Sequence, residues 1–188
     1  MSAPSDVPES EAEESRPEVP PELRHRSLIV LASVALSVVV LDQLSKHWVV
    51  STIAPRMESG DGPFVFLGGL LKLTYTENTG AAFSMGTGYT WIFSIVAVVV
   101  AVVILRSSRR LGSIAWAVAL GGLLGGLLGN LIDRITRPPG PGLGYVVDWI
   151  QLPNFAVFNI ADMCIVGSAA LMVLLSLRGI DFSGGPRS

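Results

Sequence analysis

The strongest pattern along the chain is a set of four long hydrophobic stretches separated by polar segments. About 20 consecutive apolar residues suffice to cross a bilayer as a helix. Each of the four stretches approaches that length and holds few or no charges. The pattern therefore predicts an all-α membrane fold with four transmembrane helices, at roughly residues 27–50, 89–105, 114–132 and 157–177.

A different periodicity appears between the first two hydrophobic stretches, within residues 51–88. Apolar and polar residues alternate from Leu71 to Thr76, which is the period of a half-buried strand. A shorter apolar run from Phe64 to Leu67 is followed by Gly68-Gly69, a pair typical of a turn. This segment is therefore expected to form a small β-sheet on the membrane surface.

Both ends of the chain lack this hydrophobic content. Residues 1–26 are rich in Ser, Pro and Glu at their start, and we expect a disordered tail. They do not form a secretory signal, because a basic start followed by an apolar core is missing. Residues 27–178 would form the membrane domain, and residues 179–188 a loose C-terminal tail.

Positive charges indicate how the four helices are oriented. Four crossings place both termini on one side, which is flanked by Arg24, Arg26, Arg106, Arg109, Arg110 and Arg178. The other side carries Lys46, Arg56, Lys72, Arg134 and Arg137. Short cytoplasmic loops are enriched in Lys and Arg, so the arginines of loop 106–110 favour cytoplasmic termini.

Amino-acid composition also indicates a membrane protein. Of 188 residues, 50% are hydrophobic and 15% charged, below the roughly 25% charged residues of soluble domains. The formal net charge of −2 gives no basic patch for nucleic acid. The single cysteine, Cys164, lies in a hydrophobic run and is interpreted as a packing residue.

Two acidic residues, Asp148 and Asp162, lie in otherwise apolar surroundings within residues 144–165. An ionised carboxylate in such a place is costly and calls for a partner or a function. Further polar residues fall at the same end of the predicted helices, namely Asp42, Lys46, Asn78 and residues 130–134. Their convergence at one membrane depth predicts a site at the outer interface.

The chemistry of this site is narrowed by what the sequence lacks. It has no HExxH zinc motif, and His25 and His47 are remote from the acids, so no metal or other cofactor is expected. It has no GxSxG nucleophile elbow. Two neighbouring carboxylates can share one proton and so supply a general acid and a general base for peptide hydrolysis.

Several of these residues also have structural interpretations. Asp42 and Lys46 are four apart and can form a neutral ion pair on one helix face. Asp133 and Arg134 can form an interfacial ion pair, and Asn159 can cap a helix whose first turn contains Asp162. The glycines that recur at every fourth position favour close helix packing: Gly121, Gly125, Gly129 and Gly122, Gly126.

Five motifs in order resemble those of the lipoprotein signal peptidases, or signal peptidase II. Asp42–Lys46 resembles DQxxK, and Asn78–Ser84 resembles the NxGAAF loop. Further along the chain, Gly129–Arg134 resembles GNxxDR, Val146–Asp148 resembles VVD, and Phe158–Asp162 resembles FNxAD. The similarity extends from about residue 27 to residue 177.

The resemblance implies an aspartic endopeptidase of the bacterial cytoplasmic membrane with its active site at the outer face. Such enzymes remove signal peptides from prolipoproteins, cutting before a diacylglyceryl-modified cysteine. The partners are then lipidated prolipoproteins and membrane lipid, with no obligate protein partner. The dyad falls on Asp148 and Asp162, and Asp133 is the rival to Asp148. Residues that line or support the site would be Asn78, Asn130, Arg134, Asn159, Asp42 and Lys46.

The resemblance also implies roles for the segments outside the membrane. The sheet within residues 51–88 is expected to cradle the substrate, and residues 136–157 to close over it as a lid. Residues 144–155 are expected to be a mobile interfacial piece that delivers Asp148. The loop 136–144 departs from the family pattern in being long and rich in proline, and Met163 stands where a serine is common.

Two other functions remain open at this point. Buried Asp and Lys residues also mark ion pathways, so a small transporter or channel is the alternative. No pair of interrupted helices suggests an inverted repeat, however. An intramembrane protease of the GxGD type ranks lower, because no GxGD motif occurs in a hydrophobic segment.

Overall fold

A computed structural model describes residues 19–80 and 90–184. Within them, four helices are long and apolar enough to cross a membrane, which confirms the predicted fold class. The four long helices are α1 (Pro21–Trp48), α3 (Thr90–Ser107), α4 (Ile114–Thr136) and α5 (Ile160–Leu177). A short helix, α2 (Ala54–Glu58), lies between α1 and α3 in chain order.

The first helix begins earlier than the hydrophobic pattern predicts. Pro21 occupies the first helical position, where its missing N–H costs nothing, so residues 21–26 are helical. The rest of the expected tail, residues 1–18, lies outside the described residues. After Trp48 the helix widens into a π turn, Val49–Ile53, and continues as α2, a helical stretch that the strand-like pattern of this region did not reveal.

Helix α4 lies at the centre of the bundle and packs against α1, α3 and α5. A Cβ atom added at Gly125 would lie 2.7 Å from the backbone oxygen of Ala35 on α1. One added at Gly126 would lie 2.6 Å from the backbone oxygen of Ala161 on α5. The predicted glycine pattern therefore serves packing on two faces of one helix, and it brings α5 close to α4 where the polar residues lie.

The predicted sheet is present and has three antiparallel strands in the order β1-β2-β3. Strands β1 (Phe64–Phe66) and β2 (Leu71–Asn78) are joined by a 3-10 turn, Leu67–Gly69. Strand β3 (Val146–Gln151) comes from the segment expected to be mobile. The structure corrects that expectation, because β3 pairs with β2 and buries Val146 and Val147.

Chain direction places the sheet and one end of every long helix together. This end contains the C-terminal ends of α1 and α4 and the N-terminal ends of α3 and α5. At the opposite end, the connection 108–113 between α3 and α4 meets the segment after α5. Phe182 O accepts hydrogen bonds from Gly112 N and Ser113 N at 3.1 and 3.2 Å, so the described part of the expected loose tail, residues 179–184, is attached here.

Candidate active site

A cavity of about 610 Å³ opens between the sheet and helices α3, α4 and α5. Apolar side chains of the three helices form one part of its wall, including Phe93, Val96, Leu127 and Ile165. The polar part of the wall contains five of the residues predicted from the sequence: Asn78, Asn130, Arg134, Asp148 and Asp162. The cavity is thus suited to a substrate with both apolar and peptide groups.

Strand β3 positions Asp148, which is 1% exposed. Asn159 Nδ2 donates to its Oδ1 at 2.6 Å, and Asn78 Nδ2 donates to its Oδ2 at 2.8 Å. The amide of Asn78 is itself oriented, because its Oδ1 accepts a hydrogen bond from Gly80 N at 2.8 Å. Gly80 has φ +85°, a conformation that favours glycine, so the Asn-Thr-Gly turn fixes the donor to Asp148.

Burial raises the pKa of Asp148 to about 6. The hydrogen bond from Asn78 opposes this rise, the charge of Asp162 adds to it, and the hydrogen bond from Asn159 and the charge of Lys46 also oppose it. Asp148 is therefore a carboxyl group that takes up a proton close to neutral pH. A group of this kind, facing a cavity, is suited to acid–base work.

Asp162 lies in the first turn of α5, and the predicted helix cap is present. Asp162 N donates to Asn159 Oδ1 at 2.9 Å, and Asn159 N donates to Asp162 Oδ2 at 3.2 Å. This reciprocal capping box fixes the start of the helix. Capping uses one carboxylate oxygen, while Oδ1 accepts from Asn130 Nδ2 at 2.8 Å. The cap thus holds Asp162 at the cavity wall and does not remove it from the site.

The amide of Asn130 is oriented by a cation. Lys46 Nζ lies 2.9 Å from Asn130 Oδ1 and can only donate, so the Nδ2 group of Asn130 turns toward Asp162. Asn159 Nδ2 also lies 3.1 Å from Asn130 Oδ1. Lysine, two asparagines and both cavity acids thus form one connected network.

A cluster of charged side chains adjoins this network and shares Lys46 with it. Lys46 Nζ is 2.8 Å from Asp42 Oδ2 and 3.0 Å from Asp133 Oδ2, and all three side chains are buried. Arg137 Nε reaches Asp133 Oδ1 at 2.9 Å, and Val147 N donates to Asp133 Oδ2 at 3.1 Å. Neither Asp42 nor Asp133 lines the cavity. The predicted ion pair of Asp42 with Lys46 is present, whereas the predicted pair of Asp133 with Arg134 is not, because Asp133 pairs with Lys46 and Arg137 instead.

This charge cluster attaches the two elements that carry the cavity acids. Asp133 accepts from the backbone of β3 one residue before Asp148, and Asp42 Oδ1 accepts from Ala161 N at 3.0 Å, one residue before Asp162. Asp42 also joins α1 to the N-terminus of α5, where a negative charge is favourable. The cluster therefore sets the spacing of the two acids without contacting the cavity.

Arg134 is the cation that reaches the cavity. It is 8% exposed, its guanidinium carbon lies 5.3 Å from the centre of the Phe93 ring, and its Nη1 donates to Gly144 O at 3.4 Å. Phe93, an apolar residue on an apolar helix, was not predicted as a site residue. Gln43 belongs to the DQxxK-like motif but was assigned no role, and its Nε2 donates to Gly129 O at 3.0 Å. Residues 81–84 of the NxGAAF-like loop lie outside the described residues.

A metal-ligand cluster does not occur in the described part of the chain, where no three His, Cys, Asp or Glu residues converge suitably. The polar side chains that line the cavity supply carboxyl, carboxamide and hydroxyl groups and one guanidinium group.

Comparison with known proteins agrees with the motifs. The family model of signal peptidase (SPase) II matches residues 34–178. This chain belongs to the signal peptidase II family. Among its relatives, the lipoprotein signal peptidase of Leifsonia xyli is 43% identical over 84% of this chain and 71% of its own length. That of Mycobacterium avium is 43% identical over 84% of both chains.

Solved structures support the same fold. A bacterial membrane enzyme with 26% sequence identity superposes with a TM-score of 0.66 over 82% of this chain and 94% of its own. Membership of the signal peptidase II family, together with four apolar helices, makes this chain a multi-pass membrane protein and a peptidase by family. It also disfavours the transporter alternative, since the matched relatives are named as peptidases.

Proposed function

We propose that this chain is an aspartic endopeptidase that removes signal peptides from diacylglyceryl-modified prolipoproteins, cutting before the lipidated cysteine. The proposed catalytic dyad is Asp148 and Asp162. The observation that carries the proposal is that both carboxyl groups line one cavity and are joined through Asn159, which hydrogen-bonds to each. Names of the matched relatives and the order of the five motifs support the substrate class.

The pair can perform peptide hydrolysis without another reagent. The ionised carboxylate takes a proton from water as the water oxygen attacks the scissile carbonyl carbon, and the protonated acid donates its proton to the carbonyl oxygen. As this tetrahedral intermediate breaks down, the C–N bond is cleaved and the leaving nitrogen takes a proton from one acid of the dyad. A hydroxyl group of the intermediate returns its proton to the other acid, so the dyad again holds one proton. Asp148, with a pKa raised to about 6, is suited to hold the shared proton.

The surrounding residues are assigned supporting roles. Asn78, Asn130 and Asn159 orient the two carboxyl groups through donors only, which leaves their remaining lone pairs for water and substrate. Lys46 orients Asn130, while Asp42 and Asp133 attach α5 and β3. Arg134 supplies a guanidinium group at the cavity wall, where it can donate to a substrate carbonyl.

The shape of the cavity supports a membrane-held substrate. Its apolar wall continues along α3, α4 and α5, and its polar wall is formed by the sheet and the helix ends. A signal helix with an acylated cysteine would place apolar groups against the helices and its scissile bond beside the acids. We assign the sheet the role of a substrate cradle. Within residues 136–157, which were expected to form a lid, we assign that role to the turn 152–157, because this turn connects β3 to α5.

Charge supports the proposed orientation in the bacterial cytoplasmic membrane, with both termini in the cytoplasm and the cavity facing outward. Six arginines at the terminal end of the bundle are exposed: Arg24, Arg26, Arg106, Arg109, Arg110 and Arg178. At the cavity end, Lys46 and Arg134 are buried and Arg56, Lys72 and Arg137 are only partly exposed. The positive-inside rule counts Lys and Arg in short loops, and the loop 106–110 at the terminal end carries three of them.

The test is cleavage of a purified lipidated prolipoprotein by the full-length protein, followed as the appearance of mature lipoprotein. Asp148→Asn and Asp162→Asn should each lower kcat by about 10³-fold or more, because removing either acid leaves the proton transfer incomplete. Asp61→Asn, an exposed acid on the α2–β1 connection, is the control and should cleave normally. Normal kcat in either dyad variant would exclude the assignment, provided that both variants show the thermal unfolding of a folded protein.

A further inference from the structure

The end of the bundle opposite the cavity contains a second cleft, of about 620 Å³. Its lining consists of Arg106, Ser107, Arg109, Arg110 and Phe182. The peptidase reaction described above uses none of these residues. The cleft is built from two chain segments, the connection between α3 and α4 and the segment that follows α5.

The two segments are attached to each other, so the cleft has a defined shape. Besides the two hydrogen bonds that Phe182 O accepts, Trp116 Nε1 donates to Ile180 O at 2.9 Å. The rings of Trp116 and Phe182 pack with their centres 5.6 Å apart. Three hydrogen bonds and a ring contact thus hold an aromatic side chain beside three guanidinium groups.

The three guanidinium groups are concentrated and available. Arg106 lies in the last turn of α3, Arg109 and Arg110 belong to the 3-10 turn Ser108–Arg110, and all three are exposed. Among the described residues, no salt bridge is recorded for any of them. Guanidinium groups bind phosphate oxygens with paired, charge-assisted hydrogen bonds, so the cleft favours a phosphate-bearing anion.

Its position favours a lipid as the source of that phosphate. Helix α3 has 18 residues, which corresponds to about 27 Å, so its last turn lies near the headgroup level of a bilayer. Directly along the helix from the arginines, Val102, Val103 and Leu105 are 45%, 56% and 56% exposed. An acyl chain can lie along these side chains while its headgroup reaches the arginines, whereas a free phosphate would leave them uncovered.

We propose that this cleft binds the headgroup of an anionic phospholipid, with its phosphate held by Arg106, Arg109 and Arg110 and its acyl chains along α3. Binding would attach the α3–α4 connection and the C-terminal segment to one leaflet. The site is separate from the peptidase cavity and is independent of the assignment of the catalytic acids.

Native mass spectrometry of the full-length protein in a neutral detergent tests the proposal, with phosphatidylglycerol and phosphatidylcholine of identical acyl chains as probes. Phosphatidylglycerol should bind more tightly. Each Arg→Gln change in the cleft should weaken its binding about fivefold, and the triple change about 100-fold. The triple Arg→Lys variant keeps the charges and should retain binding to within about tenfold. Arg24→Gln and Arg178→Gln, exposed arginines outside the cleft, should have less than a twofold effect.

Three results would overturn the proposal. The first is equal binding of the two lipids, and the second is equal weakening by the control substitutions. The third is complete displacement of phosphatidylglycerol by millimolar inorganic phosphate, which would assign the cleft to a free anion. Cleavage of prolipoprotein in detergent should be unchanged by the triple Arg→Gln substitution, which shows that these variants remain folded.

Discussion

Two groups of acids lie next to each other at one end of this protein, and they differ in their partners. Asp42 and Asp133 are held by cations, Lys46 and Arg137, at 2.8 to 3.0 Å. Asp148 and Asp162 instead receive hydrogen bonds from uncharged amides, those of Asn78, Asn130 and Asn159. The first pair is enclosed by protein, whereas the second lines the cavity.

The difference shows how similar residues acquire distinct roles. Ion pairs with buried cations let Asp42 and Asp133 fix the positions of neighbouring segments. Amide donors orient Asp148 and leave its pKa raised to about 6, mainly by burial. The charge cluster is therefore interpreted as the support of the site, and the amide-held pair as the reactive groups.

The largest effect that would test this comparison is expected from Asp133→Asn. Removing the charge leaves Lys46 with one acid and Arg137 with none, and a broken buried ion pair costs about 3 kcal/mol or more. We expect a large fall in the thermal unfolding temperature. At a temperature where the variant is folded, kcat should stay within about tenfold of the original, because Asp133 does not line the cavity.

Glu58→Gln is the matched control for this experiment, since it removes one exposed acid from α2. It should change neither unfolding nor cleavage. The opposite behaviour of Asp133→Asn, with normal unfolding and abolished cleavage, would make Asp133 the partner of Asp162 and reverse the roles of the two groups.

Most of the helices, strands and polar site residues could be predicted from the sequence, but the residues that each of them contacts could not. Hydrophobic length gave the four helices, alternation gave β2, and the motifs gave the polar residues of the site. Pairing of β3 with β2 was missed because Val146–Gln151 alone has no turn signal or partner pattern, and its stability comes from contacts with distant residues. Likewise, Asp133 and Asp148 are both acids in motifs, and only their three-dimensional surroundings distinguish them.

The segment from residue 144 to residue 155 was expected to be a mobile interfacial piece that delivers Asp148. Residues 146–151 of this segment instead form strand β3. In the structure, burial of Val147 and the hydrogen bond from its N–H to Asp133 hold it in the sheet. A contact of this kind forms only when the chain is folded, so it leaves no periodic pattern in the sequence.

An intermediate effect is expected from Gly126→Ala, which alters the spacing between the two groups and not their chemistry. The new Cβ would lie 2.6 Å from Ala161 O, a backbone atom in the first turn of α5, so the turn that carries Asp162 must move. We expect a loss of stability of about 2 kcal/mol. Displacement of Asp162 should also lower kcat/KM about 100-fold in the prolipoprotein assay.

Gly167→Ala is the control within α5, because an added Cβ there meets nothing within 4 Å. It should leave cleavage unchanged and stabilise the helix slightly, since alanine favours helix more than glycine does. If both alanine variants behaved alike, close contact between α4 and α5 would not be what positions Asp162.

The smallest effect concerns the cost of ionising Asp148. Its pKa rises from 3.8 to about 6 on folding, mainly through burial, so between these pH values the folded state binds more protons than the unfolded state. Stability should therefore fall as pH rises through this window. Asp148→Asn removes that dependence. The variant should gain about 2 kcal/mol relative to the original protein between pH 4 and pH 7, measured by unfolding in detergent at both values. A difference that is independent of pH would mean that ionising Asp148 carries no extra cost in the folded protein, and the contrast between the two groups would fail.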